Sequence, residues 1–168
     1  MVRTFGNFLK GHINRRYFVA AGHSLGGNVA IISGEKDKRI RAAVNLDGGT
    51  FIEKYSDPKI PTLTIRSQPD YTEEEIKDKR FTLKEWDEMG KNIDSSFNSF
   101  LSSATNSYEI KITGAGHMSF SDAPFVLPKM ITRFGGKIID SNKAWTIINK
   151  SILLFFTRLE GSKFRTIS

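Results

Sequence analysis

The run RYFVAAGHSLGGNVAIISGE, Arg16 to Glu35, constrains this chain more than any other stretch. Tyr17, Phe18 and Val19, followed by Ala20 and Ala21, read as a buried strand, and Val29, Ala30, Ile31 and Ile32 suit a buried helix. Between them stand Gly22-His23-Ser24-Leu25-Gly26-Gly27. A backbone that passes from strand to helix in so few residues must turn sharply. Gly22 and Gly26, two residues before and after Ser24, supply the room for that turn and for the close helix. The helix then aims its N-terminal N–H groups and the positive end of its dipole at the serine, where negative charge develops during acyl transfer. Leu25 N–H is the natural first oxyanion donor, and Gly27 adds a further small residue. A bare G-x-S-x-G occurs by chance in many chains; a strand before it and a helix after it make Ser24 a candidate nucleophile. His23 fills the variable position of the motif and reads as a packing or hydrogen-bonding residue, not as the base.

With 168 residues, the chain is expected to form one domain, residues 1–168, large enough for a real core. A composition 39% hydrophobic and 26% charged excludes a disordered chain. The absence of cysteine excludes a disulfide framework and thiolate metal sites, and none of His12, His23 and His117 pairs with another at zinc-ligand spacing. No metal or cofactor is implied. The formal charge of +7 could favour anionic surfaces, but the basic residues are mixed with acids, as in Lys36-Asp37-Lys38-Arg39 and Lys77-Asp78-Lys79-Arg80. A solvated surface is expected, with no nucleic-acid partner, since no stacking motif or recognition-helix pattern appears. Lys10, Asn14, Arg15 and Arg16 interrupt the first twenty residues, so no signal peptide is expected, and the apolar run Ile152 to Phe156 is too short to span a bilayer. The compartment stays undetermined, cytoplasmic if the chain is complete.

The expected order is helix, strand, helix, strand, strand, helix, strand, helix, an α/β pattern with a mostly parallel sheet of about four strands. The elements are a helix near Thr4 to His12, strand Tyr17 to Ala21, a helix ending near Ser33-Gly34, strands Ile40 to Leu46 and Pro61 to Arg66, a helix within Thr82 to Ser103, strand Tyr108 to Ile112 and a last helix, Asn142 to Leu159. Leu83, Trp86, Met89, Ile93, Phe97 and Phe100 recur at helical spacing and read as core. Trp145, Ile148, Ile152, Phe155, Phe156 and Leu159 form a wide stripe expected to cover the sheet.

A serine hydroxyl becomes a nucleophile when a histidine takes its proton, and the imidazole needs an acid to fix its tautomer. In open α/β sheets such sites assemble at the carboxyl ends of the strands, where Ser24, Asp47, Asp70 and His117 all fall. His117 follows the last strand in Gly114-Ala115-Gly116-His117 and is the candidate base. Asp47, in Asp47-Gly48-Gly49, and Asp70, after Pro69, are both candidate acids, and either could instead be a turn residue. Asp122 reads as a helix cap.

The segments AGHSLGG, AAVNLDGGTF, IPTLTIRSQ, ITGAGHMSFSDAPF and IIDSNKAWTIINKSILLFF together resemble the carboxyl-terminal half of platelet-activating-factor acetylhydrolases and their bacterial esterase relatives, from about Phe18 to Leu159. The resemblance implies a partial α/β-hydrolase fold and a serine ester hydrolase acting on lipid or short-acyl esters, with Ser24 as nucleophile, Asp47 as acid and His117 as base. Most other α/β hydrolases carry the acid after the next strand, which corresponds to Asp70, so Asp70 remains the alternative. The front half of the family's sheet is missing, and with it the H-G-G or H-G-x-G loop that supplies a second oxyanion N–H. The elbow strand is therefore expected to leave an unpaired edge, prone to self-association or open to a complementing N-terminal half. An ester hydrolase and a non-catalytic remnant or interaction module both fit this pattern.

Overall fold

A computed structural model describes residues 17–49, 60–104, 106–127 and 139–163. The helix expected near Thr4 to His12 lies outside them. Four strands, β1 (Phe18–His23), β2 (Ile40–Leu46), β3 (Thr62–Gln68) and β4 (Ser107–Thr113), form one sheet in the order β1-β2-β3-β4, every pair parallel. Parallel strands all end on one edge of the sheet, which gathers the loops after them at a single rim.

Helices cover both faces, as a parallel sheet requires. The helices are α1 (Leu25–Lys36), α2 (Glu73–Asp78), α3 (Leu83–Ser103), α4 (Ala123–Val126) and α5 (Ser141–Lys163), with a 3-10 turn at His117–Phe120. Side chains alternate along β2: Ala42 and Val44 join Leu63, Ile65, Ile112, Ile148 and Phe155 beneath α5, while Ala43 packs with Ala30, Ile31 and Phe100 beneath α1 and α3. The short α2 went unread in the sequence although Thr72 and Glu75 form a full capping box, each side chain satisfying the other's backbone N–H. Asp122 does occupy the N-cap of α4, but its side chain makes no capping bond.

Two expectations about burial are corrected. The strand before Ser24 is not buried: Phe18 is 38% and Val19 45% exposed, because β1 is the edge strand and nothing among the described residues pairs with its outer side. Arg39 and Arg41 instead lie over the rings of Phe18 and Tyr17. The stripe on α3 is core only at its C-terminal end, where Phe97 and Phe100 are buried, whereas Leu83 and Ile93 are exposed.

Candidate active site

Ser24 stands between β1 and α1 with φ 57° and ψ −127°, a conformation that costs a non-glycine residue about 1–3 kcal/mol and persists where neighbouring bonds enforce it. The enforcing bonds are Ser24 N–H to the Leu46 carbonyl at 2.9 Å and Gly27 N–H to the Ser24 carbonyl at 2.9 Å. A Cβ at Gly22 would collide with the Gly26 backbone, and one at Gly27 with the Asn45 side chain. At Gly26 a Cβ would meet nothing within 4 Å. The close approach therefore rests on Gly22 and Gly27, whereas Gly26 contributes its backbone, because its open side faces away from the sheet.

The loop after β2 places Asp47 beside this turn. Asp47 also has a positive φ, 53°, and its N–H donates to the Ile65 carbonyl at 2.7 Å. One carboxylate oxygen accepts from Ser67 N–H at 2.6 Å, and the other from the Ser67 hydroxyl at 2.9 Å. Ser67 was missed in the sequence; the signal was a small hydroxyl residue at the end of the strand next to the Asp47 loop. The third loop, after β4, turns at Gly114, φ 80°, and delivers His117. His117 Nε2 lies 2.9 Å from Ser24 Oγ, and its Nδ1 lies 2.7 Å from Asp47 Oδ2. The three side chains form a continuous hydrogen-bonded chain. Asp70 is not in it; it sits near Gly114, where a Cβ would come within 3.8 Å of its carboxylate.

Electrostatics follow from these contacts. The bond to Asp47 raises the His117 pKa above the ordinary histidine value, and burial opposes it only in part. Burial pushes the Asp47 carboxyl upward, but its bonds with His117 and Ser67 outweigh this and hold it below the usual value. An imidazole paired in this way has Nδ1–H donated to the carboxylate and a bare Nε2 facing the hydroxyl, the tautomer that can accept the serine proton.

A cavity of about 740 Å³ opens from Ser24, Asp47 and His117 and runs along α3, where Trp86, Met89, Ile93 and Phe97 line it. Arg66 also lines it; its buried guanidinium binds Glu109 at 2.7 Å and Asp94 at 2.9 Å and lies 3.9 Å from the centre of the Phe97 ring. Among the described residues no cluster of three or more His, Asp or Glu could hold a metal ion. None of the described helices is long and apolar enough to cross a membrane.

Four parallel strands with helices on both faces and a serine turned out at the end of the first define a partial α/β-hydrolase fold. The chain belongs to the platelet-activating factor acetylhydrolase, isoform II, family, whose model matches residues 5–164. A ferulic acid esterase from Streptomyces cinnamoneus shares the fold, with a TM-score of 0.63 at 20% identity over 94% of this chain and 48% of that one. The chain thus spans about half the length of that solved structure. No curated protein sequence matches it directly.

Proposed function

We propose that these residues carry the catalytic groups of a serine ester hydrolase acting on carboxylic esters. The single observation that supports this most is the unbroken hydrogen-bonded chain from Ser24 through His117 to Asp47. In the proposed reaction, Ser24 Oγ attacks the ester carbonyl carbon while His117 Nε2 takes the hydroxyl proton, and Asp47 stabilises the resulting imidazolium. Collapse of the tetrahedral intermediate breaks the bond to the alcohol oxygen, which leaves with that proton, and the acyl group stays on Ser24. Water then attacks the acyl-enzyme with His117 again as base, releasing the acid and restoring the serine hydroxyl.

Leu25 N–H, first in α1, is the proposed first oxyanion donor, since the first N–H groups of a helix have no intrahelical partner. The second donor is proposed to come from a partner, either a complementing N-terminal half or another copy, docked beside β1. Its relatives' names speak of an acetyl and a feruloyl ester; the bond common to both is the carboxylic ester, and lipid or short-acyl esters are the proposed substrates. The edge of β1, with nothing paired to it among the described residues, supports the second reading, a non-catalytic hydrolase remnant or interaction module.

A fluorophosphonate, which phosphonylates an activated serine in preference to other groups, distinguishes the two. Labelling mapped to Ser24 and lost in Ser24→Ala supports the hydrolase; labelling at another residue, or none even with a complementing half supplied, supports the remnant.

A further inference from the structure

His23 occupies the variable position of the turn, yet its ring reaches the loop that carries His117. Its Nε2 lies 2.9 Å from the His117 carbonyl oxygen. The two imidazole centroids are 4.6 Å apart, and the His23 ring stacks on Phe120, three residues beyond His117, at 6.3 Å and 17°. A carbonyl oxygen only accepts, so His23 Nε2 must carry the proton.

Consecutive side chains of a regular strand point to opposite faces and could not both meet one residue. Here they do, because Ser24 leaves the strand with φ 57°. Ser24 bonds the His117 ring while His23 bonds its backbone, so one contact sets where the imidazole lies and the other sets the main chain it hangs from. That second hold matters because the base sits on a short turn after Gly114 and Gly116, with 47% of its side chain exposed. We propose that His23 is a positioning residue that clamps the His117 backbone, aligning the imidazole between Ser24 and Asp47. The inference rests on the reading of His117 as the base. Partial burial and then the neighbouring His117 ring lower the His23 pKa, while its bond to the His117 carbonyl and then the Asp47 charge act the other way without restoring it. A neutral His23 keeps its donor without adding charge beside the imidazolium formed during turnover.

The test uses the full chain with ¹⁵N-labelled histidine and two variants, His23→Gln, which keeps a donor, and His23→Phe, which keeps a ring without one. In the parent chain the His117 Nδ1 proton bonded to Asp47 should resonate far downfield and exchange slowly. It should persist in His23→Gln. In His23→Phe it should exchange about tenfold faster, and fluorophosphonate labelling of Ser24 should slow about tenfold, as expected for loss of one hydrogen bond, with the fold retained and the melting temperature lowered by no more than a few degrees. Unchanged exchange in His23→Phe, equal loss in both variants, or a parent chain without the downfield proton each overturns the proposal. If exchange responds as expected but the parent chain is never labelled, the clamp stands and the reading of Ser24 as nucleophile falls.

Discussion

Asn45 and Gly48 close a ring around the loop that carries Asp47: Asn45 Nδ2 donates to the Gly48 carbonyl at 3.0 Å, and Gly48 N–H donates to Asn45 Oδ1 at 2.8 Å. Asn45 is fully buried, and a Cβ at Gly48 would collide with the Asn45 amide oxygen and the Ser24 carbonyl. Asn45→Asp replaces a donor with an acceptor facing a carbonyl. It should cost at least about 1–3 kcal/mol in denaturant unfolding, and ester turnover should fall with it. An unchanged midpoint would mean that the loop is held by other contacts.

Asp47→Asn should lower ester turnover by up to about ten-thousandfold, as in the serine-protease precedent, while Asp70→Asn should change it little. The bond to Asp47 is the main cause of the raised His117 pKa, so removing it should move the acid limb of the pH–rate profile to lower pH. Stability carries the same signs. The raised His117 contributes fully below its unfolded value of 6.5 and loses that contribution as pH rises through the folded pKa. The depressed Asp47 contributes above 3.8 and loses its contribution as pH falls through the folded pKa. The Asp47→Asn deficit in stability should therefore be greatest between those two unfolded values. A larger kinetic effect for Asp70→Asn would reassign the acid.

Gly22→Ala and Gly26→Ala should act in opposite directions. The first drives a methyl into the Gly26 backbone and should cost about 1–3 kcal/mol, the usual range for overpacking. The second meets open space within a helix and should stabilise by up to about 1 kcal/mol. Thermal unfolding of the two variants reads both signs; equal destabilisation would contradict the geometry of the turn.

The apolar side of α3 should govern ester preference. Ile93, 42% exposed and lining the cavity, can be changed with little disturbance to the fold. Trp86, by contrast, also packs edge-on against Tyr71 and Phe81. Ile93→Ser should raise KM for a long-chain or aryl nitrophenyl ester about tenfold and leave nitrophenyl acetate within about twofold, because only the larger ester buries apolar surface there. Equal effects on both esters would remove the cavity from the substrate path.

The outer side of β1, unpaired among the described residues, should make the chain associate. Val19→Lys adds a charge to the edge strand and should shift size-exclusion elution toward the monomer. A wild-type chain that elutes as a monomer at every concentration would contradict this.

The sheet was legible because its strands are short apolar runs bounded by turn residues: Ile40 to Leu46 is read and found with the same limits. The Ser24 turn was legible for a similar local reason, since glycines and a strand-to-helix change mark it within a few residues. Burial was less so. Whether Phe18 and Val19 are covered depends on what lies beside β1, and no pattern within the run encodes that. The choice between Asp47 and Asp70 is equally non-local: each follows a strand in a polar loop, and only the approach of His117, 70 residues beyond Asp47, distinguishes their surroundings. Arg66 reads as the end of a strand, and its place in an ion network depends on Asp94 and Glu109, which arrive from α3 and β4.

His117 reaches Ser24 from 93 residues away, from beyond the strand on the far side of the sheet. Contacts at such separation form late, because the intervening chain must be ordered before they can be made. A refolding chain with β1, β2 and β3 in place would hold the serine and its neighbouring carboxylate with no imidazole between them. If Ser24 is the nucleophile, the onset of its phosphonylation marks the docking of β4 and its turn rather than collapse of the sheet, and the same probe that tests the chemistry serves as a stopwatch for the final step of folding.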